Sequence, residues 1–168
     1  MNPARIELLI LDVDGVLTDG RIVMEGGGER TKHFHVQDGC AIKLWRRCGG
    51  KVAILSGRSA EAVDRRAREL GVDWVHTGVE RKLDAYKTIL ASSGLGDAHV
   101  AYVGDDLPDL GPMARSAFPL AVSDAVPAVK RSALYITRRG GGCGAVAEIV
   151  ELLLRKKGRW SQEMIENV

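Results

Sequence analysis

Leu8-Leu9-Ile10-Leu11-Asp12-Val13-Asp14-Gly15-Val16-Leu17-Thr18-Asp19-Gly20 joins an apolar run to an aspartate-rich turn. An unbroken aliphatic run reads as a strand buried on both faces, as strands of parallel sheets are. Side chains alternate along a strand, so Asp12 and Asp14 leave its end on the same side. Two carboxylates that close repel each other unless a cation lies between them or one holds a proton. Either remedy is useful in catalysis.

Outward from this stretch, strand-like and helix-like patterns alternate. Two extended pieces, Arg21 to Met24 and Arg30 to Phe34, flank the turn-rich Glu25-Gly26-Gly27-Gly28-Glu29 and predict a projecting β-hairpin over about 20–34. Ala41, Leu44, Trp45 and Cys48 recur at helical spacing, which predicts a helix from Gly39 that Gly49-Gly50 ends. Lys51 to Leu55 reads as a strand running into Ser56-Gly57-Arg58. A helix bearing Val63, Ala67 and Leu70 on one face opens there and stops at Gly71. Val72 to His76 is a strand, Lys82 to Ser93 a helix, and His99 to Val103 a strand that meets Gly104-Asp105-Asp106-Leu107-Pro108-Asp109. Phe118 to Val122 and Leu134 to Thr137 read as strands, followed by a glycine run and a helix near Ala145 to Lys156. The alternation predicts an α/β domain with a parallel sheet and helices on both faces. It spans 1–168, with a C-terminal tail over about 157–168. Such sheets bind ligands beyond the carboxyl ends of their strands, where Asp12, Asp14, Ser56 and Asp105 all fall.

Composition narrows the class. An apolar content of 45% and a charged content of 27% fit a soluble globular protein. A formal charge of +2 argues for no nucleic-acid partner. Arg155-Lys156-Lys157-Gly158-Arg159 suits the carbonyl end of a helix. No segment has membrane-spanning length and no signal-type apolar region opens the chain, so no membrane partner is expected. Cys40, Cys48 and Cys143 form no CxxC pair, and the default is a reduced cytoplasmic setting. His33, His35, His76 and His99 lack the spacing of a zinc site.

An isolated Asp-Gly turn is usually only a turn. The second cluster, Asp105, Asp106 and Asp109, changes the balance, because hard oxygen donors at two strand ends suit Mg²⁺. The rival, a calcium loop, needs a twelve-residue spacing and a terminal glutamate that are missing here. Ser56 reads as a helix N-cap or as an anion ligand. Lys82, a cation at the start of a helix, hints at an anionic partner. Arg58 and Arg66 read equally as exposed helix arginines or as carboxylate ligands.

The ordered set Asp12-x-Asp14-Gly15-Val16-x-Thr18-Asp19, Ser56-Gly57-Arg58, Lys82 and Gly104-Asp105-Asp106-x-x-Asp109 resembles the haloacid dehalogenase superfamily. Within it, Lys32-x-Phe34-x-Val36-x-Asp38-Gly39, Gly78-x-x-x-Lys82-Leu83 and Gly141-Gly142-Cys143-Gly144-Ala145-Val146 are similar to the small capless branch. That branch contains the phosphatases of 3-deoxy-D-manno-octulosonate 8-phosphate (KDO 8-phosphate). The resemblance implies a Rossmann-like sheet with a projecting hairpin and a Mg²⁺-dependent phosphomonoester hydrolase of lipopolysaccharide supply. It makes Asp12 the nucleophile, Asp14 the general acid/base, and Ser56 and Lys82 ligands of the phosphoryl group. Mg²⁺ falls to Asp12, the Asp14 backbone carbonyl and Asp105, with Asp109 supporting. Asp14, His35, Asp38, Gly39, Lys43, Arg58, Arg66 and Lys82 match positions that contact substrate, a small anionic sugar-acid phosphate. Members form tetramers in which a neighbour's hairpin and tail complete the site; here 20–34 and the run Arg138 to Gly144 match those segments. Gln37 and Lys43 stand where close relatives often carry arginine, and Cys143 and Ala147 occupy positions that are often basic, which bears on which sugar acid binds. The alternatives are a phosphatase of a related nonulosonate (sialic-acid type) 9-phosphate, a phosphoacceptor receiver module, or an oligomerisation module.

Overall fold

The computed structural model describes residues 3–24 and 30–160. β1 (Leu8–Leu11) lies inside a six-stranded sheet. It is followed by the antiparallel pair β2 (Val23–Met24) and β3 (Arg30–Thr31), the stem of the expected hairpin. The Glu25 to Glu29 turn is outside the described residues. Next come α1 (Val36–Arg47), β4 (Lys51–Leu55), α2 (Glu61–Leu70), β5 (Trp74–His76), α3 (Lys82–Ser93) and β6 (Val100–Gly104). The chain continues through α4 (Leu110–Arg115), β7 (Phe118–Ala121), α5 (Pro127–Ser132), β8 (Tyr135–Ile136) and α6 (Ala145–Lys156).

The sheet order is β5-β4-β1-β6-β7-β8, and every pairing is parallel. From β1 the chain works outward to β4 and β5, then returns to lay β6 against the other side of β1. In register, Leu8 faces Lys51 on one side and Val100 on the other. The strand order therefore reverses between β1 and β6, and the crevice beyond their carboxyl ends is where such sheets bind ligands.

Burial explains the placement. Leu8, Leu9, Ile10 and Leu11 have no exposed surface, as do Val100 to Val103, so both faces of the sheet's centre must be covered. α1 packs with α6 and α2, whereas α3 packs with α4 and α4 with α5. Ile42 and Trp45 on α1 and Val146, Ile149, Val150 and Leu153 on α6 are all buried. Trp45 settles its indole N–H on the Lys51 carbonyl at 3.0 Å, as a buried tryptophan requires. In the other helix group, the Tyr86 ring meets Tyr102 edge-on, centroids 6.4 Å apart.

Several boundaries differ from the sequence expectation. α1 starts at Val36 rather than Gly39, with His35 in extended conformation as the residue before it. α2 starts at Glu61, so Ser56 caps no helix. β5 begins at Trp74 rather than Val72, and His99 closes a 3₁₀ turn before β6. α4 and α5 were not expected. Each has only six residues, too few to show a period, and prolines sit in both. The run Arg138 to Gly144, which the resemblance matches to a tail that serves a neighbour, is fastened within its own chain: Gly141 N–H donates to Asp124 at 3.0 Å and Gly142 N–H to the Val16 carbonyl at 2.9 Å. Of the tail, 161–168 lie outside the described residues.

Ile10, at the centre of β1 and wholly buried, reads out this core. Ile10→Ala should destabilise the fold by about 2–5 kcal/mol, seen as a lower urea midpoint with an unchanged slope.

Candidate active site

The end of β1 and the end of β6 deliver Asp12 and Asp105 to the crevice side by side. Asp12 N–H donates to the Val103 carbonyl at 3.1 Å, which carries the β1–β6 ladder right up to the first carboxylate. Asp12, Asp105 and Asp109 each present an oxygen, and these oxygens lie within 4.8 Å of one another. Asp12 is 5% exposed and Asp109 is wholly buried.

Lys82, the first residue of α3, reaches into this cluster. Its ammonium lies 2.8 Å from Asp12 Oδ1 and 2.7 Å from Asp109 Oδ1. Burial alone would lower the Lys82 pKa, but Asp12 and Asp109 outweigh it and hold the group above its ordinary value. Asp109 is saturated by the protein. Tyr102 O–H donates to Oδ1 at 2.7 Å, while the N–H groups of Asp105 and Asp106 donate to Oδ2 at 3.1 and 3.2 Å. It braces the lysine and the β6 turn from behind.

One lysine leaves the three acids two charges short of neutrality. Burial first, and the negative charge of Asp109 second, push the Asp12 carboxyl up to about 6. Burial, followed by Asp12 and Asp109, pushes Asp105 up to about 8. Asp105 Oδ1 is buried with no hydrogen-bond partner among the described residues. A buried oxygen without a donor, beside a second carboxylate, is what a hard divalent cation would satisfy. The residues present fit such an ion, with Asp12 and Asp105 as its carboxylate donors. Gly15 makes the space. Its φ is +90°, and a Cβ there would stand 2.1 Å from Asp105 Oδ2.

Asp12, Lys82 and Asp105 line an open pocket of about 510 Å³ together with Asp14, Ser56, Arg58 and Asp106, while Asp109 lies behind it. Ser56 follows β4 and is buried; its hydroxyl accepts the Arg58 N–H at 3.3 Å, and its own N–H is used by the His76 carbonyl. Asp14 is half-open to the pocket. Arg58 Nε lies 4.0 Å from Asp14 Oδ2, and the Lys32 ammonium contacts Asp14 Oδ1.

Five sequence-predicted positions, His35, Asp38, Gly39, Lys43 and Arg66, do not line this pocket. Asp38 is 1% exposed and gives both oxygens to the start of α6, accepting from Gly144 N–H at 3.2 Å and Ala147 N–H at 2.8 Å. Its burial raises its pKa, which those donors oppose. Arg66 pairs with Glu69 at 2.7 Å and lies 5.8 Å from the Phe34 ring centre. Gly39 gives it passage, since a Cβ there would strike Arg66 Nη2. Lys43 approaches the same Glu69 at 3.8 Å. His35 Nδ1 is buried without a hydrogen-bond partner among the described residues. Lys32 is the site residue that sequence reasoning missed as such. It stood inside a motif, but no spacing rule ties it to an aspartate eighteen positions earlier.

No protein-family model matches the chain. Among individual proteins, it is 44% identical over 154 residues to the KDO 8-phosphate phosphatase of Escherichia coli K12, covering 92% of this chain and 82% of that one. The Yersinia pestis enzyme of the same name is 44% identical over 151 residues, covering 90% and 81%. The crystal structure of the Moraxella catarrhalis KDO 8-phosphate phosphatase, in complex with magnesium, phosphate and KDO, matches with a TM-score of 0.95 at 37% identity. It covers 98% of this chain and 95% of that one. The cobalt-bound phosphatase of Haemophilus influenzae matches with a TM-score of 0.94 at 34% identity, covering 98% and 99%. Identity at this level across nearly the whole fold decides the assignment: the chain belongs to the KDO 8-phosphate phosphatase family, in the capless branch of the haloacid dehalogenase superfamily.

Proposed function

We propose that this protein hydrolyses KDO 8-phosphate to KDO and orthophosphate, with Mg²⁺ as cofactor. The observation that carries this reading is Asp105 Oδ1, buried and without a donor, beside Asp12 and Lys82 at the β1/β6 crevice. Membership of a family whose relatives act on this ester supplies the substrate.

In the first step Asp12 attacks phosphorus while the bond to the departing sugar oxygen breaks. Asp14 gives that oxygen a proton, and an aspartyl-phosphate is left on Asp12. In the second step a water attacks phosphorus, Asp14 takes its proton, and the Asp12–phosphorus bond breaks to release orthophosphate. Lys82 offsets the repulsion between an anionic nucleophile and a phosphate dianion, and the Ser56 hydroxyl can donate to a phosphoryl oxygen. Mg²⁺, held by Asp12, Asp105 and the Asp14 backbone carbonyl, supplies further positive charge at the same place. Asp109 keeps Lys82 and the Asp105 turn in position. Arg58 offers a planar fork to the substrate carboxylate. A receiver module places its acceptor aspartate on a later strand than its acidic pair, the reverse of the order here.

The working form we propose is a cytoplasmic homotetramer. Ile22 and Met24 on the hairpin stem and Val36 just beyond it are exposed apolar side chains, 45%, 66% and 77% accessible. Exposed hydrophobic groups on one projecting element favour burial against another copy. A neighbour in that position would bring cover to an open pocket and give His35, Lys43 and Arg66 a second site to serve, whereas Asp38 and Gly39 are buried and occupied within their own chain. No disulfide joins Cys40, Cys48 and Cys143 among the described residues, in keeping with a reducing compartment. No helix among the described residues is long and apolar enough to cross a membrane.

Three measurements test this account. A phosphate-release screen over sugar-acid and common metabolite phosphates should give the highest kcat/KM with KDO 8-phosphate. In it, Asp12→Asn should lose at least roughly 1,000-fold in kcat with its melting transition intact; retained turnover would remove Asp12 as nucleophile. Sedimentation should give a four-copy mass that Met24→Glu reduces; a monomer at working concentration would sink the tetramer.

The third concerns Mg²⁺ and pH. Asp12 and Asp105 have folded pKa values raised above the ordinary carboxylate range, so without metal the folded chain holds protons that the unfolded chain has released. Stability from this source is present at low pH and is lost as pH rises towards about 8. Metal competes with those protons, so the gain in Tm from Mg²⁺ should be larger at about pH 8 than at about pH 6. Asp105→Asn should flatten that difference. An equal gain at both pH values, or one that survives the substitution, would count against the metal assignment.

A further inference from the structure

Asp14 stands between two cations of different character. Lys32 contacts Oδ1 and Arg58 approaches Oδ2. The Arg58 side chain is 49% exposed and lines the pocket, as Asp14 does; the Lys32 side chain is 3% exposed and does not. Lys32 therefore meets the carboxyl from outside the pocket lining. A buried ammonium is costly unless a charge partner is held against it. The partner here is the residue that must exchange a proton in both chemical steps, and Lys32 comes to it directly after β3, from the base of the hairpin.

We infer that Lys32 is a positioning residue for Asp14. The terminal torsion of an aspartate is broad and leaves its two oxygens interchangeable. By taking Oδ1, Lys32 breaks that equivalence and leaves Oδ2, on the pocket side, as the oxygen that exchanges the proton. Oδ2 gives its proton to the departing sugar oxygen as the phosphorus–oxygen bond breaks. It takes one back from the attacking water as the Asp12–phosphorus bond breaks. Lys32 keeps its own protons throughout. Proton transfer needs a heavy-atom separation of about 2.6–3.2 Å, so a carboxyl free to turn spends much of its time out of range. The inference rests on the phosphatase reading and adds to it a residue from the hairpin.

The test uses leaving groups. A sugar alkoxide leaves only with a proton, whereas p-nitrophenolate leaves without one. kcat/KM includes steps only up to the departure of the leaving group, so the second step does not enter. Lys32→Met should lower kcat/KM for KDO 8-phosphate by roughly 10–100-fold. The value for p-nitrophenyl phosphate should change by no more than about 3-fold, a residual positional effect. The inhibition constant of orthophosphate should stay within about 2-fold, since no phosphate contact is removed. Lys32→Gln, which keeps a donor of shorter reach, should fall between wild type and Lys32→Met. Equal losses on both esters would make Lys32 a general structural support. An orthophosphate constant that rises in step with the loss would make it an anion ligand. Loss of the folded state in both variants would make it a folding residue. Each of these overturns the inference. The wild-type screen judges the substrate reading separately; if another alkyl phosphate is preferred, the same alkyl-to-aryl ratio is read with that ester.

Discussion

The crowding of Asp12, Asp105 and Asp109 around one lysine is the constraint on which the rest depends. Two buried carboxylates and a half-buried third cannot all stay ionised beside a single cation without large cost. The fold meets part of that cost with Lys82 and with the donors that Tyr102, Asp105 and Asp106 offer to Asp109. It leaves the remainder unmet at Asp12 and Asp105, whose pKa values rise accordingly. That remainder faces the pocket. The site is held short of electrostatic balance where a metal and a phosphate would enter, and saturated where they would not.

The sheet makes such crowding tolerable. Asp12 and Asp105 end neighbouring parallel strands whose side chains are wholly buried, so neither backbone can drift apart to relieve the repulsion. Packed interiors transmit strain rather than absorbing it. The reversal of strand order between β1 and β6 supplies the crevice, and Gly15 supplies the last clearance for Asp105. An added methyl group at Gly15 would collide with the carboxylate itself.

Much of this was legible in the sequence because it follows from short-range rules. Aliphatic runs named the central strands, and the residues directly after them named Asp12, Asp14, Ser56 and Asp105. What stayed hidden depends on contacts between distant segments. Asp38 looked like a polar group available to substrate, but α6 takes both its oxygens across more than a hundred residues. Lys32 and Asp14 meet only because the hairpin folds back over the turn after β1. Ser56 followed its strand as expected, yet α2 begins at Glu61, since Ser56 turns back on Arg58 rather than starting a helix. α4 and α5 are too short for periodicity to reveal.

The same division bears on how substrate choice can vary over a constant chemistry. The groups placed for phosphoryl transfer sit at strand ends or at the first residue of α3, within a rigid lattice of hydrogen bonds. The groups matched to the sugar acid sit on α1, α2 and the Arg58 loop, and Lys43 and Arg66 both meet the exposed Glu69. Exposed pairs of that kind contribute about 0–1 kcal/mol, so they are exchanged at little cost to the fold. A change among them would leave Asp12, Asp105 and Lys82 undisturbed. The hairpin joins the two halves, since its stem lines the pocket through Ile22 and its exit carries Lys32 to Asp14. In a fold without a cap, that element is where closure over the sugar and orientation of the proton donor can be set together.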